Sequence, residues 1–218
     1  MTQSRAALAR AQRIVVKIGS RAIAGDGDPI PSMVRQLVEL DGGRRSFVVV
    51  TSGAIALGTA RLGYSRRPKE MGRLQAAAAA GQSVLMQRWS EAFASHGRVA
   101  AQVLLTHADL AERDRANNAR EALAALLDAR AIPVINENDT VSTDEIRFGD
   151  NDQLASMVTP LVAADALLLL TDVDGVLDEE GARISTYTQG VRLGTVRRAG
   201  PGTGGIHSKI DAAEKAAR

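Results

Sequence analysis

Short apolar runs alternate with longer stretches of helical period along this chain, and the alternation supplies the first outline of its architecture. Arg13–Ile18, Ser46–Thr51, Val99–Leu105, Ile132–Ile135 and Ala166–Thr171 are compact, β-branched or Leu-rich runs that predict buried strands. Between them, Pro31–Leu40 repeats Met33, Leu37 and Leu40 at helical spacing and stops at Asp41-Gly42-Gly43. Ser52–Gly58 opens a second helix, Pro68–Gly97 holds one long helix or a pair, and Thr106–Leu127 forms another with a charged run at Glu112–Arg115. Asn151–Ala163 is helical with Leu154, Val158 and Leu161 on one face and Pro160 near its end, and a last helix spans Ile210–Arg218. Strands alternating with helices predict a three-layer α/β/α domain with a largely parallel sheet. Weak strand potential remains around Ile184 and Val191–Val196.

One polar stretch interrupts the pattern. Asn136–Asp152 follows the Ile132–Ile135 strand and has amides and carboxylates at both ends, Asn136, Asn138 and Asp139 against Asp150, Asn151 and Asp152. A loop of that length inside a compact domain is functional or disordered. In an open α/β sheet it lies beyond the carboxyl ends of the strands, where ligands bind. Asn both donates and accepts, and Asp pairs with ammonium, so the set suits a zwitterionic ligand.

Composition narrows the classes. The 218 residues are 45% hydrophobic and contain no cysteine, which excludes a disulfide framework and a thiolate metal site and fits a reducing, cytoplasmic setting. No apolar segment reaches membrane-spanning length. The formal charge is only +2 and aromatics are 3%, which speaks against a base-stacking nucleic-acid surface. The three histidines, His96, His107 and His207, have no metal-ligand spacing and fit surface or helix-end positions.

Arg supplies most of the positive charge; the lysines are Lys17, Lys69, Lys209 and Lys215. Lys17 ends the first apolar strand, where it is either a snorkelling edge lysine or an ammonium aimed at an anion above the strand end, with Gly19 allowing close backbone approach. Ser52-Gly53 lies at a strand-to-helix junction, an anion site by virtue of its free N–H groups; Ser52 could cap that helix and contact a carboxylate as well. Gly200–Lys209 is a second Gly-rich entry to a helix, but lacks the Gly-Lys-Ser/Thr order of a P-loop. No strand is followed by Gly-x-Gly-x-x-Gly, and no Gly-x-Ser-x-Gly motif is present. The Ala76–Ala80 run with Gly81 predicts close helix packing or a subunit contact. Two lysines, two glycine-bearing anion sites and an acidic-amide loop suit phosphoryl transfer from a nucleotide to a small acid. There, catalysis is positioning plus electrostatics.

Six motifs occur in order: Val-Val-Lys-Ile-Gly-Ser, Val-Val-Thr-Ser-Gly-Ala-Ile-Ala, Pro-Val-Ile-Asn-Glu-Asn-Asp, Phe-Gly-Asp-Asn-Asp-Gln-Leu, Leu-Leu-Leu-Leu-Thr-Asp-Val-Asp-Gly-Val and Gly-Thr-Gly-Gly-Ile-His-Ser-Lys. From about Arg13 onward the chain resembles the amino-acid kinase family, and in its Asn-Glu-Asn-Asp and Gly-Asp-Asn-Asp pair the members that act on glutamate. The resemblance implies ATP-dependent phosphorylation of the glutamate side-chain carboxylate, with Mg2+ bound through the nucleotide phosphates and no dedicated metal site. By motif, Ser52, Gly53, Asp139 and Asn151 would hold the acceptor. Lys17 and Lys209 would flank the transferring group, organised by Asp152. Gly19, Thr171, Asp172, Thr203, Gly204, Gly205, Ile206, His207 and Ser208, with both lysines, would contact ATP. A homo-oligomer and feedback by proline are further implications. Other acceptors of the family (aspartate, acetylglutamate, a nucleoside monophosphate) and a non-catalytic regulator are the alternatives. Residues 1–218 are expected to form one domain of this kind, without the family's C-terminal end or its RNA-binding-like addition.

Overall fold

A computed structural model of the chain describes residues 3–24, 27–142, 151–171, 173, 175–188, 191, 193–194 and 205–218. Its centre is a sheet of five strands, β1 (Arg13–Lys17), β2 (Ser46–Val50), β3 (Ala100–Leu105), β4 (Ile132–Glu137) and β5 (Ala166–Leu169), in the order β3-β4-β2-β1-β5. Every pairing is parallel. Parallel neighbours need crossover connections, and the helices provide them. The chain runs α1 (Gln3–Arg10), β1, α2 (Ser20–Ala24), α3 (Ile30–Asp41), β2, α4 (Ala54–Arg61), α5 (Met71–Ala94), β3, α6 (His107–Ala111), α7 (Arg113–Asp128), β4, α8 (Asn151–Leu161), β5 and α9 (Ile206–Ala216).

Side chains alternate across each strand, so the sheet builds two cores. On one face Ile14, Val16, Phe47, Val49 and Val134 meet Ile30, Val34 and Leu37 of α3 and Leu85, Trp89 and Phe93 of α5. On the other, Val15, Val48, Val50 and Ile135 meet Leu123 and Leu127 of α7 and Leu154, Ala155 and Val158 of α8. Burial on both faces is why these strands read as continuous apolar runs rather than alternating ones. The expected three-layer α/β/α arrangement is what forms.

Local departures from the sequence-based expectation have identifiable causes. The expected Thr106–Leu127 helix is two helices, because Glu112 is extended and caps α7: its carboxylate accepts from the backbone N–H of Asp114 (3.1 Å) and Arg115 (2.9 Å). Part of the charged run is therefore a helix cap rather than a set of solvated pairs, although Arg115 does pair with Asp109 at 2.7 Å. Thr106 and Asp109 form a capping box on α6. The polar N-terminus forms α1, whose Ala9 carbonyl accepts from Arg45 at 2.8 Å. β5 ends at Leu169 rather than Thr171, and α9 starts at Ile206, one turn before the expected Ile210. Near Ile184 the described residues make isolated antiparallel bridges, Leu177 with Arg183 and Asp178 with Leu193, rather than a strand, and the expected strand potential at Val191–Val196 lies partly outside the described residues. Among the described residues no helix is long and apolar enough to cross a membrane.

The small-residue run of α5 is used inside the subunit. A Cβ placed on Gly58 of α4 would lie 1.7 Å from the Ala77 carbonyl oxygen, and one on Gly81 of α5 would lie 1.8 Å from that of Ala54. The two helices touch backbone to backbone, with Ala77 and Ala78 buried at the seam. Gly81, Ala77 and Ala78 are thus taken up by α4 and not by a second subunit. Gly81→Ala forces the helices apart and is expected to cost about 1–3 kcal/mol or more. Gly72→Ala, where a Cβ meets nothing within 4 Å, is expected to be neutral or slightly stabilising. Urea denaturation of both variants checks this, and equal midpoints would contradict the packing.

Candidate active site

Register aligns the carboxyl ends of the central strands: Lys17 sits opposite Val50 of β2 and Leu169 of β5, and Val50 opposite Ile135 of β4. β2 leads on to β3, whereas its neighbour β4 leads back across the sheet to β5, so the connections from these adjacent strands leave in opposite directions. The crevice above such a switch point is where α/β sheets bind ligands.

Lys17 follows Val15 on the face covered by α8. Because β1 is paired on both sides, the edge-lysine reading fails, and the side chain is 5% exposed. Its Nζ is 2.7 Å from Oδ1 of Asp152, the second residue of α8, which is 0% exposed. Lys209, in the first turn of α9, places its Nζ 3.1 Å from Oδ1 and 2.9 Å from Oδ2 of the same carboxylate. Sequence-distant lysines therefore meet on one aspartate at the sheet's carboxyl edge. Together the three groups carry one net positive charge.

Asn151, adjacent to Asp152, faces a different cluster. Its Nδ2 lies 2.5 Å from the Thr51 carbonyl, 2.7 Å from Asn136 Oδ1 and 3.1 Å from Ser52 Oγ, tying the ends of β2 and β4 to the start of α8. Asn136 in turn donates to Gln82 of α5 at 2.8 Å, and the Trp89 indole donates to Thr51 Oγ1 at 3.2 Å. Ser52 does not cap α4. The N-cap is Gly53, with φ of 104° and no side-chain cap bond. Glycine is required there twice over, since a Cβ would also crowd Ile23 Cγ2 at 3.1 Å. Freed from capping, the Ser52 hydroxyl stands with Asn151.

Asp139 lies in the turn after β4, half-buried. Beside it are groups that the sequence pattern did not single out. Glu137 is 5% exposed; its Oε1 accepts from Ser142 Oγ at 3.3 Å, and its Oε2 is 3.5 Å from His107 Nδ1. His107 is thus the first residue of α6 turned toward a buried carboxylate. Glu137 was legible within the Asn-Glu-Asn-Asp motif, whereas Gln82 carried no signal in a helix of ordinary composition.

On the opposite side, Gly19 follows β1, half-exposed, where an added Cβ would lie 4.0 Å from Lys17 Nζ, and Thr171 follows β5, exposed. Gly205 is the N-cap of α9, without a side-chain cap bond; Ile206 and Ser208 are half-buried and His207 is exposed. Asp150, Asp172, Thr203 and Gly204, and the basic Arg192, Arg197 and Arg198, lie outside the described residues.

Residues 12–218 match the amino acid kinase family. The chain belongs to that family. Curated relatives named glutamate 5-kinase include one from Streptomyces coelicolor, 46% identical over 232 residues that take in 100% of this chain and 62% of the relative. Another, from Chromohalobacter salexigens, is 49% identical over 229 residues, with 99% of this chain and 61% of the relative covered. A third, from Pseudomonas fluorescens, is 48% identical over 224 residues, covering 95% and 60%. The chain spans about three fifths of the length of these relatives.

Electrostatics divide the candidate site in two. On the lysine side, Asp152 offsets the buried Lys17 ammonium and the half-buried one of Lys209. On the β4 side, burial and then the Glu137 charge push the Asp139 carboxyl up to about 7, against the opposing pull of Arg67. Removing one partner of a buried ion pair leaves an uncompensated charge, typically ~3–5 kcal/mol. Asp152→Asn is accordingly expected to lower stability by about that amount, read as the shift in urea midpoint near neutral pH. A midpoint equal to wild type would mean the lysines do not depend on this carboxylate.

Proposed function

We propose that this chain is a kinase domain that uses ATP to phosphorylate the side-chain carboxylate of L-glutamate, giving L-glutamyl 5-phosphate, the first step towards proline. The observation that supports it most is the Asp152 carboxylate held between Lys17 and Lys209, directly beside the Asn151–Ser52–Asn136 cluster. The relatives named glutamate 5-kinase point to the same acceptor.

The acceptor carboxylate is already ionised at neutral pH and needs no general base. Its oxygen attacks the terminal phosphorus of ATP, a carboxyl O–P bond forms, the bond to the bridging oxygen breaks, and ADP leaves with the electron pair. Charge on the three equatorial oxygens rises in such a transfer. Lys17 and Lys209, fixed by Asp152 before substrate arrives, would stabilise that charge without reorganising. Ser52 and Asn151, with the Gly53 junction, would take the substrate carboxylate, and Asp139 its ammonium group. Gly19, Thr171, Asp172 and the Thr203–Ser208 entry to α9 would hold the nucleotide. Mg2+ bound through the phosphates would supply further charge neutralisation. A cytoplasmic setting fits a chain without cysteine. Proline, sharing the ammonium and carboxylate of glutamate, would compete at the same pocket, and assembly as a homo-oligomer completes the reading.

ATP consumption with L-glutamate in the presence of hydroxylamine tests the proposal, since an acyl phosphate is trapped as the hydroxamate. A panel including aspartate, acetylglutamate and nucleoside monophosphates separates the family's other acceptors. ATP consumption only with one of those would overturn the glutamate assignment, and binding without turnover of any would point to a regulator. Lys209→Ala is expected to reduce kcat at least 100-fold, on the scale of losing one electrostatic donor, while glutamate binding is largely kept; an unchanged kcat would remove Lys209 from the chemistry. Asp139→Ala is expected to raise KM for glutamate far more than KM for ATP, and equal effects would displace Asp139 from the acceptor pocket.

A further inference from the structure

Glu137 is a buried carboxylate that the phosphoryl transfer does not use, yet it stands at the carboxyl end of β4, beside the acceptor pocket. We propose that Glu137 is a positioning residue. Its carboxylate, set between His107 of α6 and Ser142, pins the Asn138–Ser142 turn and so places Asp139, two residues from a buried like charge, to receive the ammonium group of an amino-acid acceptor. The inference rests on the glutamate-binding reading above.

The turn is tied at several points. The Asn138 N–H donates to the Leu105 carbonyl at 2.9 Å, and the N–H groups of Val141 and Ser142 donate to the Asn138 carbonyl at 3.1 and 3.2 Å. Thr140 Oγ1 donates to Asn138 Oδ1 at 2.6 Å, and Gln75 of α5 donates to the Ser142 carbonyl at 3.3 Å. The Ser142 hydroxyl closes the set on Glu137 Oε1 at 3.3 Å. Asp139 is thereby held two residues from a buried like charge.

Among the described residues, the charged groups acting on Asp139 are Glu137, which opposes its ionisation, and Arg67 from the segment between α4 and α5, which favours it. Gln75, which reaches the turn from α5, is neutral. His107 faces Glu137 from α6; when its imidazole gains a proton it offsets part of the Glu137 charge. Burial first, and then the Glu137 charge, push the Asp139 carboxyl up to about 7. Ionised Asp139 is the form that pairs with ammonium, so affinity for glutamate falls as pH drops below that point.

The test is calorimetric titration with L-glutamate from pH 5.5 to 8.5, with ATP binding measured alongside. Wild type is expected to bind glutamate about tenfold more weakly at pH 6 than at pH 8. In Glu137→Gln, which keeps an acceptor for Ser142 but removes the charge, the midpoint should fall by on the order of one pH unit. The pH 6 to pH 8 difference then shrinks to about twofold. Ser142→Ala, which keeps the charge and frees the turn, should weaken glutamate binding about threefold at every pH without moving the midpoint. Neither variant should alter ATP binding. A wild-type midpoint in Glu137→Gln overturns the role. If that variant does not fold, unchanged glutamate affinity in Ser142→Ala overturns it instead. A wild type that binds ATP but no glutamate at any pH overturns both this inference and the acceptor assignment on which it rests.

Discussion

One carboxylate shared by two ammonium groups is the constraint around which this protein is arranged. Each of Lys17, Asp152 and Lys209 loses most of its hydration on folding, which costs several kcal/mol per ion unless partners replace the water. The replacement works only if β1 is an interior strand, α8 begins directly above its end, and α9 docks on α8. Asp152 gains further from its place in the first turn of α8, where the helix dipole favours negative charge. α9 is held to that helix by buried Ile210 and Ala212 and by a Lys215–Gln153 hydrogen bond of 2.5 Å. Displacing any of these elements would leave a charge buried alone.

Two consecutive residues of α8 then split the site. Successive side chains on a helix point about 100° apart, so Asn151 turns to the ends of β2 and β4 while Asp152 turns to β1 and α9. Under the proposed function, the distance between the acceptor pocket and the phosphoryl-binding pair would be fixed by adjacent backbone units of α8. Transfer between two bound groups gains from holding them in a near-attack geometry, and a rigid helix start serves that better than a loop.

The floor beneath the Asn151–Asn136 amide cluster depends on packing of another sort. α4 and α5 meet through Gly58, Ala77 and Gly81 with their backbones in contact. That proximity brings Gln82 and Trp89 of α5 under the ends of β4 and β2, where they hydrogen-bond Asn136 and Thr51. A larger residue at the seam would lift α5 and with it the supports of the amide cluster.

Much of this was readable from residue order. Buried parallel strands announce themselves as apolar runs, because both faces are covered, and the five runs became the five strands. The glycine-rich junctions and the sparse lysines marked where anions could be met. Other features lay beyond any one-dimensional pattern. The break at Glu112 came from a side chain capping nearby backbone N–H groups, and α1 formed at Gln3–Arg10, where no helix was expected. Whether Lys17 was an edge lysine or an interior ion depended on strand order, which periodicity does not encode. The use of Ala77, Ala78 and Gly81 inside the subunit depended on which helix lay opposite. The sequence by itself determined the five strands, most of the helices and the inventory of charged and amide groups, since those follow from local spacing. Only the tertiary structure decided that Lys17, Asp152 and Lys209 share one point and that Glu137 is buried between His107 and Ser142. Proximity between residues far apart in the chain is a property of how elements stack, and no local pattern carries it.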